Sequence, residues 1–386
     1  MKLVRGCFYL VIIAVVMGAA VFAMWTNRSY MDMHTLVKSQ IVQSFSELPF
    51  EGFMNRVHYN YLRATNRGHF NGVTFLTDGR LMFDEQDDLV FIQERTEEIL
   101  WLNNYLQNKE IPFLYVRVPS KIQDNSVLPR AFSDNTNIED GDYVLHFLQD
   151  NGVDTIDLRE KMDRYGTDYY FAFYHGDHHW TTETTLWALG EIADFVNREY
   201  GFSVDKMVWD QEQYEHITLK RGFLGEESET INAMHRYEDI TALVPKFPTS
   251  IMVTDIREID DQHTVSAGSF VDVFIPKLLD ENNTHLRYGE LNVVHRYFNR
   301  YENSEASDQK NILLIGDSMA ISLSTYLTTA FGTVDNLMLF YGANHRIWPA
   351  IERNNYDLVI YVLSDMIVAF EDRHIFEDDR LFLGRP

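Results

Sequence analysis

Residues 175–180 read His-Gly-Asp-His-His-Trp, the densest cluster of acid–base-capable side chains in the chain. Far downstream an apolar run, Ile312-Leu313-Leu314-Ile315, leads into Gly316-Asp317-Ser318. Together these segments hold an acid, a base and a nucleophile, the parts of Ser-His-Asp chemistry. A catalytic histidine needs a carboxylate on one ring nitrogen. That fixes the tautomer and leaves the other nitrogen to accept the nucleophile's proton. Asp177, two residues ahead of His179, can supply the carboxylate locally, and Trp180 can wall the site. Ser318, on a turn between an apolar strand and a helix, is expected at the carboxyl edge of a parallel sheet, where ligands bind in open α/β folds. The helix start beneath it offers backbone N–H groups and a positive dipole end to a developing oxyanion.

Each segment also has a plainer reading. Gly-Asp-Ser by itself equally describes a turn with an N-cap serine. Asp177 to Trp180 equally describes a polar helix entry with a core tryptophan, although three histidines within five residues speak against it. His175, Asp177, His178 and His179 are ligand types for zinc or iron. Adjacent histidines usually point apart, and no second dense His/Asp/Glu cluster is evident, so no metal or other cofactor is expected. Ser120 precedes Lys121 after a strand, without the helical spacing of a serine–lysine pair. Ser364-Asp365 reads as a strand-end cap. Three residues are candidates for oxyanion or substrate contacts. Gly225, in Gly222-Phe223-Leu224-Gly225-Glu226, would act by close backbone approach. Asn344, in Gly342-Ala343-Asn344-His345, would act by its amide, with a turn asparagine the open alternative. Lys121 is either solvated or steers an anionic group.

The elements that must position these residues are legible in outline. Phe70 to Leu76 and Leu81 to Phe83 flank Thr77-Asp78-Gly79-Arg80, a hairpin signal. Residues 85–109 carry a helical apolar face with Val90, Ile92, Ile99, Leu102 and Leu106. Ile111 to Val118 reads as a buried strand, 142–151 as a helix and Thr155 to Leu158 as a short strand. Thr181 caps a helix to about Tyr200, with Glu183 in its first turn and Leu186, Leu189, Ile192, Ala193 and Val196 as its buried stripe. Residues 202–310 differ: short β-rich pieces, Ile251 to Thr254 and Ser269 to Ile275, alternate with polar loops. This region reads as an elaboration of the sheet. Strand 311–315, helix 319–331, strand 336–340, helix 346–354 and strand 357–363 then alternate, which implies a parallel sheet covered on both faces.

Composition narrows the function classes. At 386 residues, with 45% hydrophobic and 24% charged, the chain can bury a substantial core. A net charge of −25 argues against nucleic acid and against docking of the body on anionic lipid. Cys7 is the lone cysteine, so no disulfide or thiolate metal site is expected. It precedes the apolar stretch where a lipobox cysteine would follow one. Basic residues Lys2 and Arg5 precede Cys7 to Trp25, a run without a charge and about long enough to cross ~30 Å of hydrocarbon. A cleaved signal ending at Val21-Phe22-Ala23 is the alternative, but the run is long for a signal core, and the body is exported on either reading. The expected organisation is an anchor or signal at 1–29, a stalk at 30–65, and one domain at 66–386 carrying the insertion at about 202–310.

The Asp177-His178-His179-Trp180 signature, followed by Thr181-Thr182-Glu183-Thr184, resembles the DHHW protein family of bacterial surface proteins. That family is similar to the permuted SGNH-hydrolase-like domains of alginate O-acetyltransferases. Further segments agree in order: the Gly72 to Phe83 hairpin, Val118-Pro119-Ser120-Lys121, Phe223-Leu224-Gly225, Pro245-Lys246-Phe247-Pro248-Thr249 and Ile315-Gly316-Asp317-Ser318. The resemblance covers roughly residues 65–365. It implies a three-layer α/β/α SGNH-hydrolase-like fold in which Asp-x-His precedes the serine. Residue by residue it makes Asp177 the orienting acid, His179 the general base and Ser318 the nucleophile, with His178 at a variable position. Relatives often carry Gly-Ser near the place of Gly225-Glu226 here, so the family's oxyanion role does not transfer directly to this loop.

The resulting expectation is an O-acyltransferase, acetyl being the expected group, acting on a cell-surface polysaccharide through an acyl-enzyme. The resemblance implies a membrane-bound O-acyltransferase as partner, with the body held outside the cell membrane by residues 7–25. With water as acceptor the same triad makes a carbohydrate esterase. A third reading is a non-catalytic carbohydrate-binding protein, for which 21 tyrosines, 26 phenylalanines and 6 tryptophans could supply sugar-stacking surfaces.

Overall fold

The computed structural model describes residues 68–84, 89–129, 137–231, 236–258, 261–280, 283–291, 298–339 and 346–368. The expected span at 7–25, the stalk at 30–65 and Asn344 lie outside them. Among the described residues no helix is long and apolar enough to cross a membrane.

The chain enters through β1 (His69–Phe70), β2 (Val73–Phe75) and β3 (Leu81–Phe83). β2 and β3 pair antiparallel around the expected Asp78-Gly79 turn, with Thr74 opposite Met82. Gly79 has φ of +94°, which an L side chain would resist. The helix Leu89–Gln107 leads to β4 (Phe113–Val118), and the helix Asn137–Asp150 to β5 (Asp154–Asp157). After the helix Thr182–Glu199 comes an antiparallel ribbon, β6 (Tyr214–Phe223) with β7 (Glu238–Pro245). Then follow β8 (Ile251–Glu258), β9 (Asp261–Gly268), β10 (Phe298–Asn303), β11 (Asp308–Gly316), β12 (Phe331–Met338) and β13 (Leu358–Ser364).

One eight-stranded sheet organises these elements, in the order β5-β4-β13-β11-β12-β10-β8-β9. Neighbours from β5 to β12 are parallel. Ile312 to Ile315 and Leu358 to Leu363 are fully buried, as strands covered on both faces must be. Each such side chain contributes about 1.5–3 kcal/mol by leaving water. The helix Met319–Ala330 packs on the sheet beside Thr182–Glu199. The helix Leu89–Gln107 packs against Asn137–Asp150, and its Trp101 and Tyr105 meet Trp348 of the helix Ile347–Arg353 edge-on. The step from β11 to β12 runs one way along the sheet and the step from β12 to β13 runs back. Right-handed crossovers therefore put Met319–Ala330 and Ile347–Arg353 on opposite faces.

The fold is α/β as expected, but the sheet is mixed rather than parallel. β12 pairs antiparallel with β10, β10 with β8, and β8 with β9. These strands come from the region 202–310, which extends the sheet as expected. In parts of β8 and β10 more and less buried side chains alternate: Met252 is exposed between Ile251 and Val253, and Arg300 and Glu302 are half-buried between Asn299, Tyr301 and Asn303. That is the signature of antiparallel strands, not of crossover units. A second correction concerns Ser269 to Ile275, which is not a strand piece. Ser269 and Asp272 form a reciprocal capping box that opens the helix Phe270–Phe274.

β4, β11 and β13 are parallel neighbours, so their carboxyl ends share one edge of the sheet. Lys121, Ser318 and Asp365 all follow that edge.

Candidate active site

The histidine-rich segment is a closed loop. Phe173 and Trp180 form an antiparallel bridge at its neck, and the Tyr174 N–H donates to the His179 carbonyl at 3.1 Å. Thr181 caps the following helix by accepting from the Thr184 N–H. Three outside groups hold the loop. The Leu81 N–H of the hairpin donates to the His175 carbonyl at 2.8 Å. The Glu238 carboxylate accepts from the His175 and Gly176 N–H groups at 2.7 and 2.6 Å. Lys121 Nζ, at the end of β4, donates to the Asp177 carbonyl at 2.6 Å. Burial lowers the Lys121 pKa, with the Glu227 carboxylate opposing.

The insertion grips the same loop with consecutive residues. The Glu226 N–H donates to Asp177 Oδ2 at 2.8 Å, and the Ser228 N–H to the Gly176 carbonyl at 3.0 Å. Glu227 Oε2 lies 3.5 Å from His178 Nδ1. Gly225 abuts the loop so closely that a Cβ would sit 2.1 Å from the Gly176 carbonyl oxygen and 2.5 Å from Asp177 Cβ. Only glycine allows that approach.

Asp177 Oδ1 receives both the His179 backbone N–H, at 2.9 Å, and His179 Nδ1, at 2.5 Å. A carboxylate only accepts, so Nδ1 carries the proton and Nε2 is left as the lone-pair nitrogen. Burial alone would raise the Asp177 pKa. The His179 and His178 rings and the Glu226 N–H outweigh it and hold the carboxyl well below the usual range. Burial lowers His179, the His178 charge lowers it further, and Asp177 opposes both. The result is a neutral imidazole beside a carboxylate. Its Nε2 is buried and accepts no hydrogen bond from any described group, Ser318 included.

Stacked rings fix the plane of that imidazole. Tyr288 lies on one side at 3.8 Å between centroids, 14° from parallel, and His178 contacts it at 3.9 Å. The Tyr288 hydroxyl donates to Ser322 Oγ at 2.5 Å, and Trp180 Nε1 donates to the same oxygen at 2.8 Å. Thr185 already donates to the Thr181 carbonyl, so Ser322 gives its own proton to Thr185. Ser322 is one turn beyond Ser318 on the helix Met319–Ala330, hence on the same face. The histidine loop and the helix that Ser318 opens are thereby tied together.

At the turn, Gly316 is required: a Cβ would lie 2.9 Å from the Val362 carbonyl oxygen of β13. Asp317 is fully buried. It accepts from the Met319 N–H at 2.8 Å and the Ser364 N–H at 2.7 Å, which locks the turn to the end of β13. Ser318 holds the N-cap position but makes no capping hydrogen bond, because Asp317 takes that role. Its half-buried hydroxyl is left for other work. The N–H groups of Met319, Ala320 and Ile321 are engaged within the turn.

Gly225 and Lys121, read from sequence as oxyanion or substrate groups, thus meet the backbone of the histidine loop. Ser120 and Ser364 sit at the same sheet edge and, with Lys121, His178 and Met319, bound a cavity of about 10 Å³, room for one water-sized group. Sequence reasoning missed Tyr288, Glu227 and Ser322. Only Ser322 left a signal, a hydroxyl inside the apolar run Ile321-Ser322-Leu323. Ligand atoms of Asp177, His178 and His179 lie within 4.8 Å of one another, close enough for an ion. The donor set does not suit one. Both Asp177 oxygens already accept N–H groups, and His178 faces Glu227. On the far side of the loop, Tyr170, Phe171, His175, Glu183 and Asp239 line an open groove of about 310 Å³.

Residues 75–234 match the family described as SGNH hydrolase-like domain, acetyltransferase AlgX. This stretch includes the histidine loop and the Glu226–Thr230 helix and ends before Ser318. The fold is similar to that of Bacillus cereus PatB1, solved with a sulfonyl adduct, at 16% identity and a TM-score of 0.62. That likeness covers 79% of this chain and 97% of that one. It is also similar to a DHHW family protein from Eubacterium siraeum, at 12% identity and a TM-score of 0.54, over 79% and 94%. No curated protein matches the sequence. Residues 75–234 are therefore similar to the SGNH hydrolase-like domain of that family, and the fold is similar to those of PatB1 and a DHHW family protein.

Proposed function

We propose that the chain is an O-acetyltransferase acting on a cell-surface polysaccharide through Ser318, His179 and Asp177. The observation that carries this reading is the Asp177–His179 pair: a neutral imidazole, Nδ1–H on a carboxylate, whose buried Nε2 has no partner. An unpartnered buried acceptor is unfavourable by about 1–3 kcal/mol and is kept where chemistry uses it. In the reaction, Nε2 takes the Ser318 proton as Oγ attacks the acetyl carbonyl of the donor. The donor's leaving group departs with that proton, and acetyl remains on Ser318. A sugar hydroxyl then attacks the ester, gives its proton to His179, and leaves acetylated while the proton returns to Oγ. Resting-state separation of Ser318 and His179 is compatible with this, since catalytic hydrogen bonds commonly tighten only with substrate bound.

The match to an acetyltransferase family supports acetyl as the group carried. In this reading residues 7–25 anchor the body outside the cell membrane, beside a membrane-bound O-acyltransferase that supplies acetyl. The sulfonyl adduct on PatB1 suggests the direct test. A sulfonyl fluoride should label Ser318 and no other residue, and the chain should hydrolyse a chromogenic acetyl ester. Both should vanish in Ser318→Ala, and hydrolysis should vanish in His179→Ala. Hydrolysis surviving in Ser318→Ala would sink the assignment.

A further inference from the structure

Glu227 is fully buried, and neither of its carboxylate oxygens accepts a hydrogen bond. Among the described residues its close charged partner is His178, Nδ1 to Oε2 at 3.5 Å. A carboxylate taken out of water is strongly unfavourable unless a cation compensates it, so this contact favours a protonated His178. The same ring lies against that of His179, centroids 3.9 Å apart and planes 35° apart.

We propose that Glu227 and His178 are a second acid–imidazole couple, whose held positive charge keeps the neighbouring His179 ring neutral and ready to take a proton. The inference rests on the reading of His179 as general base. Glu227 and His178 are positioning residues in it: they act through His179.

The groups facing His178 support the sign. Its own loop contributes Asp177 and His179, and the helix Glu226–Thr230 contributes Glu226 and Glu227. Lys121, after β4, faces Glu227 from the sheet edge. The remaining neighbours, Phe83 of β3 and Met319 and Ser364 beside the cavity, are uncharged. Burial, the largest single influence, works against the His178 charge, but the Glu227 carboxylate together with Asp177 and Glu226 outweighs it and raises the ring to about 9. For His179, burial comes first and the His178 charge second, both pushing down. Two rings in contact thus divide the work, one charged and one neutral.

The test is a pH titration of imidazole resonances in the full chain carrying isotope-labelled histidine, assigned with His178→Gln and His179→Gln. His178 should stay doubly protonated until about pH 9, and His179 should stay neutral to below 6.5. In Glu227→Gln, His178 should lose its proton near neutrality. His179 should then protonate at higher pH, and the acid limb of ester hydrolysis should move up by roughly one unit, the scale of a like charge at contact distance. Glu227→Asp, which keeps the charge, should restore much of the profile. A neutral His178 in the wild type at neutral pH overturns the proposal, and so does an unchanged His179 titration in Glu227→Gln. The wild-type result stands if Glu227→Gln fails to fold. The resonances need no turnover, so an inactive chain would sink the catalytic reading without touching this measurement.

Discussion

The ring of His179 lies flat on the phenol of Tyr288, centroids 3.8 Å apart and planes 14° from parallel, while the phenol hydroxyl donates to Ser322. One side chain from the insertion therefore fixes the face of the imidazole and ties it to the helix behind Ser318.

Tyr288→Phe keeps the stack and loses one hydrogen bond. It should reduce stability by about 1 kcal/mol and leave kcat within a few-fold. Tyr288→Ala removes the ring as well. Stability should fall by about 3–5 kcal/mol, and kcat by roughly 10²-fold as the imidazole loses its fixed plane. Chemical denaturation and steady-state ester hydrolysis separate the two. Equal kcat in both variants would remove Tyr288 from the account.

Asp177→Asn should preserve the fold and damage the chemistry. The amide can donate to Nδ1 and so trap the tautomer with the proton on Nε2, where it cannot accept from Ser318. A loss of roughly 10⁴-fold in kcat is expected, with circular dichroism close to wild type and a lowered melting temperature, because the amide NH2 must face one of the N–H groups that Asp177 accepts. A loss under tenfold would mean that another group orients His179.

Gly225→Ala places a methyl 2.1 Å from the Gly176 carbonyl oxygen, a backbone atom that cannot swing away. The helix Glu226–Thr230 should be pushed off the loop, at a cost of about 1–3 kcal/mol, and Asp177 should lose the Glu226 N–H. Activity should drop together with the melting temperature. Full activity in this variant would show that the helix does not support Asp177.

Activity should persist at acid pH further than an ordinary imidazole allows, since burial and the His178 charge both lower His179. The acid limb of kcat/KM should lie below 6.5. Stability should have the opposite slope. His178 is raised in the fold, so its contribution is complete below the unfolded value of 6.5 and is lost as pH climbs toward about 9. Melting temperatures across that window should fall more steeply in wild type than in Glu227→Gln.

Local chemistry made much of this legible. Asp177 and His179 are two residues apart, and a side chain two positions back reaches both the ring and the backbone N–H of its partner, so the pair needs little beyond the loop. Thr181 as cap and the stripe Leu186, Leu189, Ile192, Ala193 and Val196 follow from helix periodicity, and all five stripe residues are fully buried. The apolar run 312–315 could be read as a covered strand because such strands need no polar alternation. Ser269 to Ile275 went wrong because β-branched and aromatic residues favour strands, whereas a Ser-x-x-Asp capping box, a stronger local device, opened a helix instead.

Sequence alone determined which side chains could carry the chemistry and which elements would present them, because those facts depend on neighbours within a turn or two. Tertiary structure alone decided that Gly225 to Ser228 close on the histidine loop, that Lys121 is a buried clamp, and that Tyr288 covers His179. It also decided that β8, β9 and β10 complete the sheet antiparallel. Such contacts join residues far apart along the chain, and their energies come from packing and desolvation in the assembled interior, which no local pattern of residues encodes.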